Sequence, residues 1–162
     1  MPRSRRYDVT KHTFMVTNDT TPRPELIVFA GLQASGKTTY YRAHLSATHV
    51  HVSKDLMTNA RNRDERQFRE ISLALAEGRS VVVDNTNPTP ADRAPLIALG
   101  RAYGARVVAL YFETTVKDSV VRNRLREGKA RVPDVALFVT AKKMVPPTVA
   151  EGFDEVRVIP PL

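Results

Sequence analysis

Gly31-Leu32-Gln33-Ala34-Ser35-Gly36-Lys37-Thr38, followed by Thr39, decides how the rest of this chain is read. The spacing G-x-x-x-x-G-K-[S/T] is that of a phosphate-binding loop, and each fixed position has a mechanical reason. Gly31 and Gly36 let the backbone turn, so that successive N–H groups from Ala34 to Thr39 face a phosphate. The helix that opens behind the loop adds the positive end of its dipole. Lys37 neutralises β- and γ-phosphate oxygens, and the Thr38 hydroxyl completes the shell of a Mg²⁺ ion. A glycine-rich turn that only joins a strand to a helix has no need of Lys followed by Thr. The expected ligand is a nucleoside triphosphate, ATP or another, with Mg²⁺.

Outward from the loop, strand and helix patterns alternate. Strands are expected at Glu25–Ala30, His49–Ser53, Ser80–Asp84, Ala105–Phe112 and Glu155–Ile159. Helices are expected at Lys37–Leu45, Asp64–Glu77, Ala91–Tyr103, Val116–Arg126 and Asp134–Lys143. Gly78, Gly104 and Gly152 stand before the third, fourth and fifth strands, as helix-terminating glycines do. This alternation predicts an α/β fold: a mostly parallel five-stranded sheet with helices on both faces, the P-loop NTPase architecture, with a small helical lid. Residues 25–162 form that one domain. Residues 1–24, with Arg3, Arg5, Arg6, Lys11 and Arg23 against Asp8 and Asp19, are set apart as a basic arm. The stretch Tyr7–Val16 has some alternation and is read either as an edge strand or as a solvated tail.

Composition narrows the setting. A chain of 162 residues buries a sizeable core without staples, and with no cysteine it has neither disulfides nor a thiolate nucleophile. No apolar run approaches membrane-spanning length and no signal-peptide stretch is present, so a cytoplasmic protein with no membrane partner is expected. A formal net charge of +8 favours a polyanionic partner, which a small-molecule enzyme does not need.

In doubly wound folds ligands bind beyond the carboxyl ends of the strands. The second strand ends in Val52-Ser53-Lys54-Asp55 and the third in Asp84-Asn85-Thr86-Asn87. Asp55 is placed either to accept a proton from an acceptor hydroxyl or to cap a helix starting at Leu56. Asp84 ends an apolar run in the manner of a carboxylate that holds a Mg²⁺ shell, in part through water. Thr86 and Asn87 either line an acceptor groove or are turn residues before Pro88. Arg122 and Arg126, four apart, are expected on one helix face next to a loosening Gly128. Beside a phosphate loop they read as lid arginines over the phosphates rather than as a solvated basic face.

These blocks together resemble the kinase module of polynucleotide 5′-kinases. The likeness runs from about Leu26 to Ile159. It rests on Gly31–Thr38, Val52–Asp55, Val83-Asp-Asn-Thr-Asn-Pro88, Arg122-Asn-Arg-Leu-Arg126 with Val132-Pro133, and Pro147-Thr-Val-Ala-Glu-Gly-Phe153. The resemblance implies that Asp55 activates a nucleic acid 5′-hydroxyl of DNA or RNA and that Arg126 stabilises the transition state. It further implies that Lys37 and Thr38 hold the triphosphate and Mg²⁺, and that Asp84, Thr86 and Asn87 line the acceptor side. Where the phage enzyme carries an acceptor-phosphate arginine three residues after the aspartate, this chain has Thr58; either Arg61 or Arg63 substitutes for it, or the acceptor groove differs. The Asp-x-Asp-x-Thr motif of the family's phosphatase half does not occur, so a stand-alone kinase is expected. Two other readings remain at this point: a phosphate-loop kinase of small molecules, and a nucleotide-dependent nucleic-acid-binding protein that transfers nothing.

Overall fold

A computed structural model describes residues 22–161. Five strands, β1 (Glu25–Gly31), β2 (His49–Val52), β3 (Ser80–Val83), β4 (Arg106–Phe112) and β5 (Glu155–Ile159), form one sheet in the order β2-β3-β1-β4-β5. Every pairing is parallel, with Val28 beside both Val83 and Ala109. Parallel strands need long crossovers, and five helices supply cover for the sheet. They are α1 (Lys37–His44), α2 (Arg63–Ala76), α3 (Pro90–Ala102), α4 (Val116–Arg124) and α5 (Asp134–Lys143). The chain crosses to one side of β1 and then to the other, so the topological switch, and the crevice it opens, lie at the end of β1.

The near-continuous apolar run of β1 is what burial on both faces demands. Alternate residues separate cleanly. Leu26 and Val28 join Val81, Val83, Val107, Ile71, Leu75 and Leu96 in one core layer. Ile27 and Phe29 join Val82, Val108, Leu110 and Phe112 in the other, against Tyr40 and Tyr41 of α1. Helix α3 approaches the sheet closely at Gly100, where an added Cβ would stand 2.7 Å from Val107 Cγ2 and 2.9 Å from Leu26 Cδ2.

Element boundaries fall within a residue or two of expectation, and several of the differences have a capping cause. Strand β2 stops at Val52 because Ser53 becomes the cap of a single 3₁₀ turn, Lys54–Leu56. No helix starts at Leu56, so Asp55 is not its cap; α2 begins at Arg63, capped by the Asn62 side chain. Thr89 and Asp92 form a reciprocal capping box at the start of α3. Helix α4 ends at Arg124, so Arg126 is not on the same helix face as Arg122. The expected terminating glycines hold, with Gly78, Gly104 and Gly152 all at left-handed φ. The edge-strand reading of Tyr7–Val16 lies outside the described residues. From the arm's end, Arg23 donates to the carbonyls of Gly104 (2.9 Å) and Ala105 (3.2 Å).

Candidate nucleotide and acceptor site

The loop after β1 wraps its own lysine. Lys37 is buried, and its Nζ donates to the carbonyls of Gly31 (3.0 Å) and Leu32 (2.5 Å) and to Ser35 Oγ (3.2 Å). Two residues take the left-handed backbone that bends the loop, Gly36 at φ 93° and Ala34 at φ 58°. Gly31 is excluded from bearing a side chain by contact: a Cβ there would lie 3.0 Å from Phe112. Burial pushes the Lys37 ammonium down to about 8; Asp84 and Asp55 oppose that shift, and Arg126 adds to it. Three charged groups from three separate segments therefore act on this one ammonium.

Asp84, at the end of β3, is buried and shares one oxygen between two donors. Thr38 Oγ1 lies 2.8 Å from Asp84 Oδ2, and His51 Nε2 lies 2.9 Å from the same atom. The His51 ring is stacked on Tyr41 of α1, centroids 4.1 Å apart and planes 15° from parallel. The Thr38 hydroxyl beside a buried carboxylate is a hard-oxygen donor set of the kind Mg²⁺ takes, so the residues fit that ion.

Because Asp84 N–H bonds the Val52 carbonyl at 2.8 Å, the ends of β2 and β3 stay side by side, and the Lys54–Leu56 turn emerges next to Asp84. Asp55 is exposed on that turn, and among the described residues its carboxylate takes no hydrogen bond or ion pair. The turn is held by Asn85, whose Oδ1 accepts from Lys54 N–H at 3.0 Å and whose Nδ2 donates to Gln67 Oε1 at 2.6 Å.

The remaining residues expected on the acceptor side divide. Thr86 is half-buried and its carbonyl accepts from Gly31 N–H at 3.0 Å. Asn87 is a turn residue: it is buried at φ 40°, and its Nδ2 donates to the Phe29 carbonyl at 2.7 Å. That bond ties one of the two amide N–H groups of Asn87 to β1. Arg61 is exposed, just ahead of α2.

The lid is α4, a flap and α5. Asn123, fully buried, clips the flap at its base: Nδ2 donates to the Val132 carbonyl at 2.7 Å and Oδ1 accepts from Val132 N–H at 3.0 Å. Arg124 binds the Asp134 carboxylate at 3.0 and 3.2 Å, which holds that carboxyl below its ordinary range. The lid also touches the loop, through Gln33 Nε2 and Thr140 Oγ1 at 3.0 Å. Between loop and lid lies an open cleft of about 270 Å³, lined by Ala34, Gly36, Thr39, Arg122 and Arg126. The two arginines thus meet at the cleft although only Arg122 lies on α4.

Sequence reasoning passed over His51, Asn85, Gln67 and Arg93. Only Asn85 carried a signal, as a member of the Asp-Asn-Thr-Asn block. The others gain their place from contacts distant in sequence, which no local pattern reveals.

A family model described as an AAA domain matches residues 26–145. A bifunctional polynucleotide phosphatase/kinase of Schizosaccharomyces pombe is 24% identical over 140 residues, covering 84% of this chain and 33% of the relative. The chain spans about a third of the length of the curated relatives it matches. Among solved structures, a fungal RNA kinase is similar with a TM-score of 0.67 at 18% identity, over 86% of this chain and 38% of that one. A gluconokinase from Sinorhizobium meliloti 1021 is similar with a TM-score of 0.57 at 19% identity, over 86% and 84%. At such identities the structural likeness carries the fold alone, a phosphate-loop kinase fold.

Proposed function

Because this chain belongs to the AAA domain family, a phosphate-loop family, we propose that it is an ATP-dependent polynucleotide kinase acting on the 5′-hydroxyl ends of DNA or RNA. The observation that carries the proposal is what surrounds the phosphate loop: Asp84 of β3 bonded to Thr38, the Asp55 turn emerging beside Asp84, and Arg126 across the cleft from Gly36 and Thr39. Phosphoryl transfer needs a cradle for the triphosphate, a group to take the acceptor proton, and positive charge over the moving phosphoryl. One residue stands ready for each task.

The amides from Ala34 to Thr39 and the Lys37 ammonium bind the triphosphate. Thr38 and Asp84 would hold Mg²⁺, which when bound supplies charge neutralisation between the phosphates. The exposed Asp55 carboxylate orients the terminal 5′-hydroxyl and accepts its proton. The freed oxygen forms a bond to the γ-phosphorus, the bond to the β–γ bridging oxygen breaks, and ADP leaves with that electron pair. Arg126, aided by Arg122, closes over the oxygens on which charge spreads, where a planar guanidinium holds two at once. Thr86 shapes the acceptor side, and Arg61, with no acidic partner among the described residues, serves the acceptor's phosphates. The polynucleotide as acceptor is supported by the net charge of +8 and by the name of the fission-yeast relative.

The test is transfer of label from γ-labelled ATP to a panel of acceptors. Label on 5′-hydroxyl DNA or RNA, and none on gluconate or other small alcohols, is the expected result. Label on a small alcohol alone would replace the polynucleotide with a metabolite. Salt-sensitive nucleic acid binding without any transfer would leave a nucleotide-dependent binding protein.

A further inference from the structure

Asn85 immediately follows Asp84, yet its side chain reaches sideways, not to the loop. It accepts the Lys54 N–H at 3.0 Å and donates to Gln67 Oε1 at 2.6 Å. Gln67 is buried on α2, so the half-buried amide pair is anchored to the body of the domain. The turn it holds has otherwise only local bonds. Asp55 N–H reaches Ser53 Oγ at 3.3 Å, Leu56 N–H the Ser53 carbonyl at 3.1 Å, and Met57 N–H the Lys54 carbonyl at 3.1 Å. The Lys54 side chain pairs with Asp64, but Asp64 is exposed and Lys54 only half-buried, and an ion pair open to water fixes geometry weakly. Met57, buried below the turn, fixes its depth but not its direction.

We infer that Asn85 is a positioning residue that sets the Asp55 carboxylate relative to Asp84 and the phosphate loop. The inference rests on the reading of Asp55 as the proton acceptor. Asp84 and Asn85 are adjacent at one strand end. The carboxylate assigned to the Mg²⁺ shell and the anchor of the proton acceptor's turn thus move as one piece. A proton acceptor displaced by about an ångström costs on the order of a hundredfold in rate. An Asn85 that only stabilised the fold would have no such selective effect.

Asn85→Ala, Asn85→Asp, Gln67→Glu and Gln67→Leu separate these roles. Asn85→Asp keeps an oxygen for the Lys54 N–H and a second that the Gln67 amide, turned over, can donate to. Gln67→Glu keeps an acceptor for Asn85. The inference expects Asn85→Ala to lower kcat roughly tenfold to a hundredfold at saturating ATP. The affinity for a fluorescent ATP analogue should stay within twofold, roughly the scatter of such a measurement. Asn85→Asp and Gln67→Glu should each recover most of the rate, while Gln67→Leu should not. Amide hydrogen exchange at Lys54–Leu56 should quicken in Asn85→Ala and stay unchanged across Gly31–Thr38. An Asn85→Ala protein with normal kcat, or one that loses nucleotide affinity in step with kcat, overturns the inference. If the wild type transfers only to a small alcohol, the polynucleotide reading falls. The ratio of Asn85→Ala to wild type on that alcohol then decides the inference separately. If the wild type transfers to nothing, unchanged exchange at Lys54–Leu56 overturns the anchoring itself, and quickened exchange upholds it.

Discussion

Arg93, fully buried in α3, grips the Glu151 carboxylate through two hydrogen bonds, Nε to Oε1 at 2.8 Å and Nη2 to Oε2 at 3.0 Å. Its third nitrogen donates to the Asn87 carbonyl at 2.9 Å. One guanidinium thereby joins the two sequence blocks that are most telling for the polynucleotide kinase resemblance, Asp84–Pro88 and Pro147–Phe153. The second block caps itself through Thr148 and Glu151 and turns at Gly152, φ 115°. Through Arg93 it is tied to the carbonyl of Asn87, three residues after Asp84.

Breaking that pair from one side leaves a buried charge without a partner. Glu151→Leu is expected to destabilise the fold by about 3–5 kcal/mol in urea titrations, with most of the loss recovered in Arg93→Met/Glu151→Leu. Burial pushes the Glu151 carboxyl up, but Arg93 and the Thr148 N–H outweigh it and hold it below its ordinary value. A carboxylate with a lowered folded value contributes stability above its unfolded value, about 4.3, and loses it as pH falls further. Glu151→Gln should therefore flatten the acid limb of the stability curve.

Lys37 runs the other way. Its folded value is about 8, against 10.5 for a free lysine, so between those pH values the unfolded chain binds more protons. Stability of the nucleotide-free protein should then rise with pH over that window, relative to Lys37→Met. The Tm difference between the two proteins, measured in EDTA, should be flat near neutrality and swing toward the wild type as pH climbs past about 8. A difference independent of pH would contradict the burial assigned to this ammonium.

Thr38 and Asp84 are assigned to the same cation. Asp84→Asn and Thr38→Ala should each weaken Mg²⁺-dependent binding of a fluorescent ADP by roughly tenfold to a hundredfold, by analogy with other metal-shell losses. Binding measured in EDTA should change far less. Equal losses with and without Mg²⁺ would remove the assignment.

Ala34 sits at φ 58°, where an L side chain is strained. Ala34→Gly should raise the urea-derived stability by about 0.5–1 kcal/mol, since the relief exceeds the added flexibility of the unfolded chain. A loss of stability would show that the Ala34 methyl packs in the loop more than its backbone is strained.

The fold was legible because its signals are local: the loop spacing, apolar runs too continuous for a one-sided sheet, and glycines at helix ends. Boundaries slipped where a cap intervened, as Ser53 did before Asp55 and Asn62 did before α2. The candidate carboxylates Asp55 and Asp84 were named from strand ends, Lys37 from the loop spacing, and Arg122 and Arg126 from a basic helix beside Gly128. What stayed hidden was the use of neutral side chains, since Asn87 looks alike whether it faces a groove or the Phe29 carbonyl. Nothing local marked Arg93, because its partner lies 58 positions away. His51 and Gln67 meet Asp84 and Asn85 only because β2 lies beside β3 in the sheet order.

The central claim is that the Asp55 carboxylate takes the proton of a 5′-hydroxyl held beside the cradle of Lys37. Single-turnover transfer to a 5′-hydroxyl oligonucleotide, with Asp55→Asn against the wild type, tests it most directly. Transfer should slow by roughly a hundredfold to ten-thousandfold while nucleotide and oligonucleotide affinities hold. An Asp55→Asn protein that transfers at near the wild-type rate would contradict it.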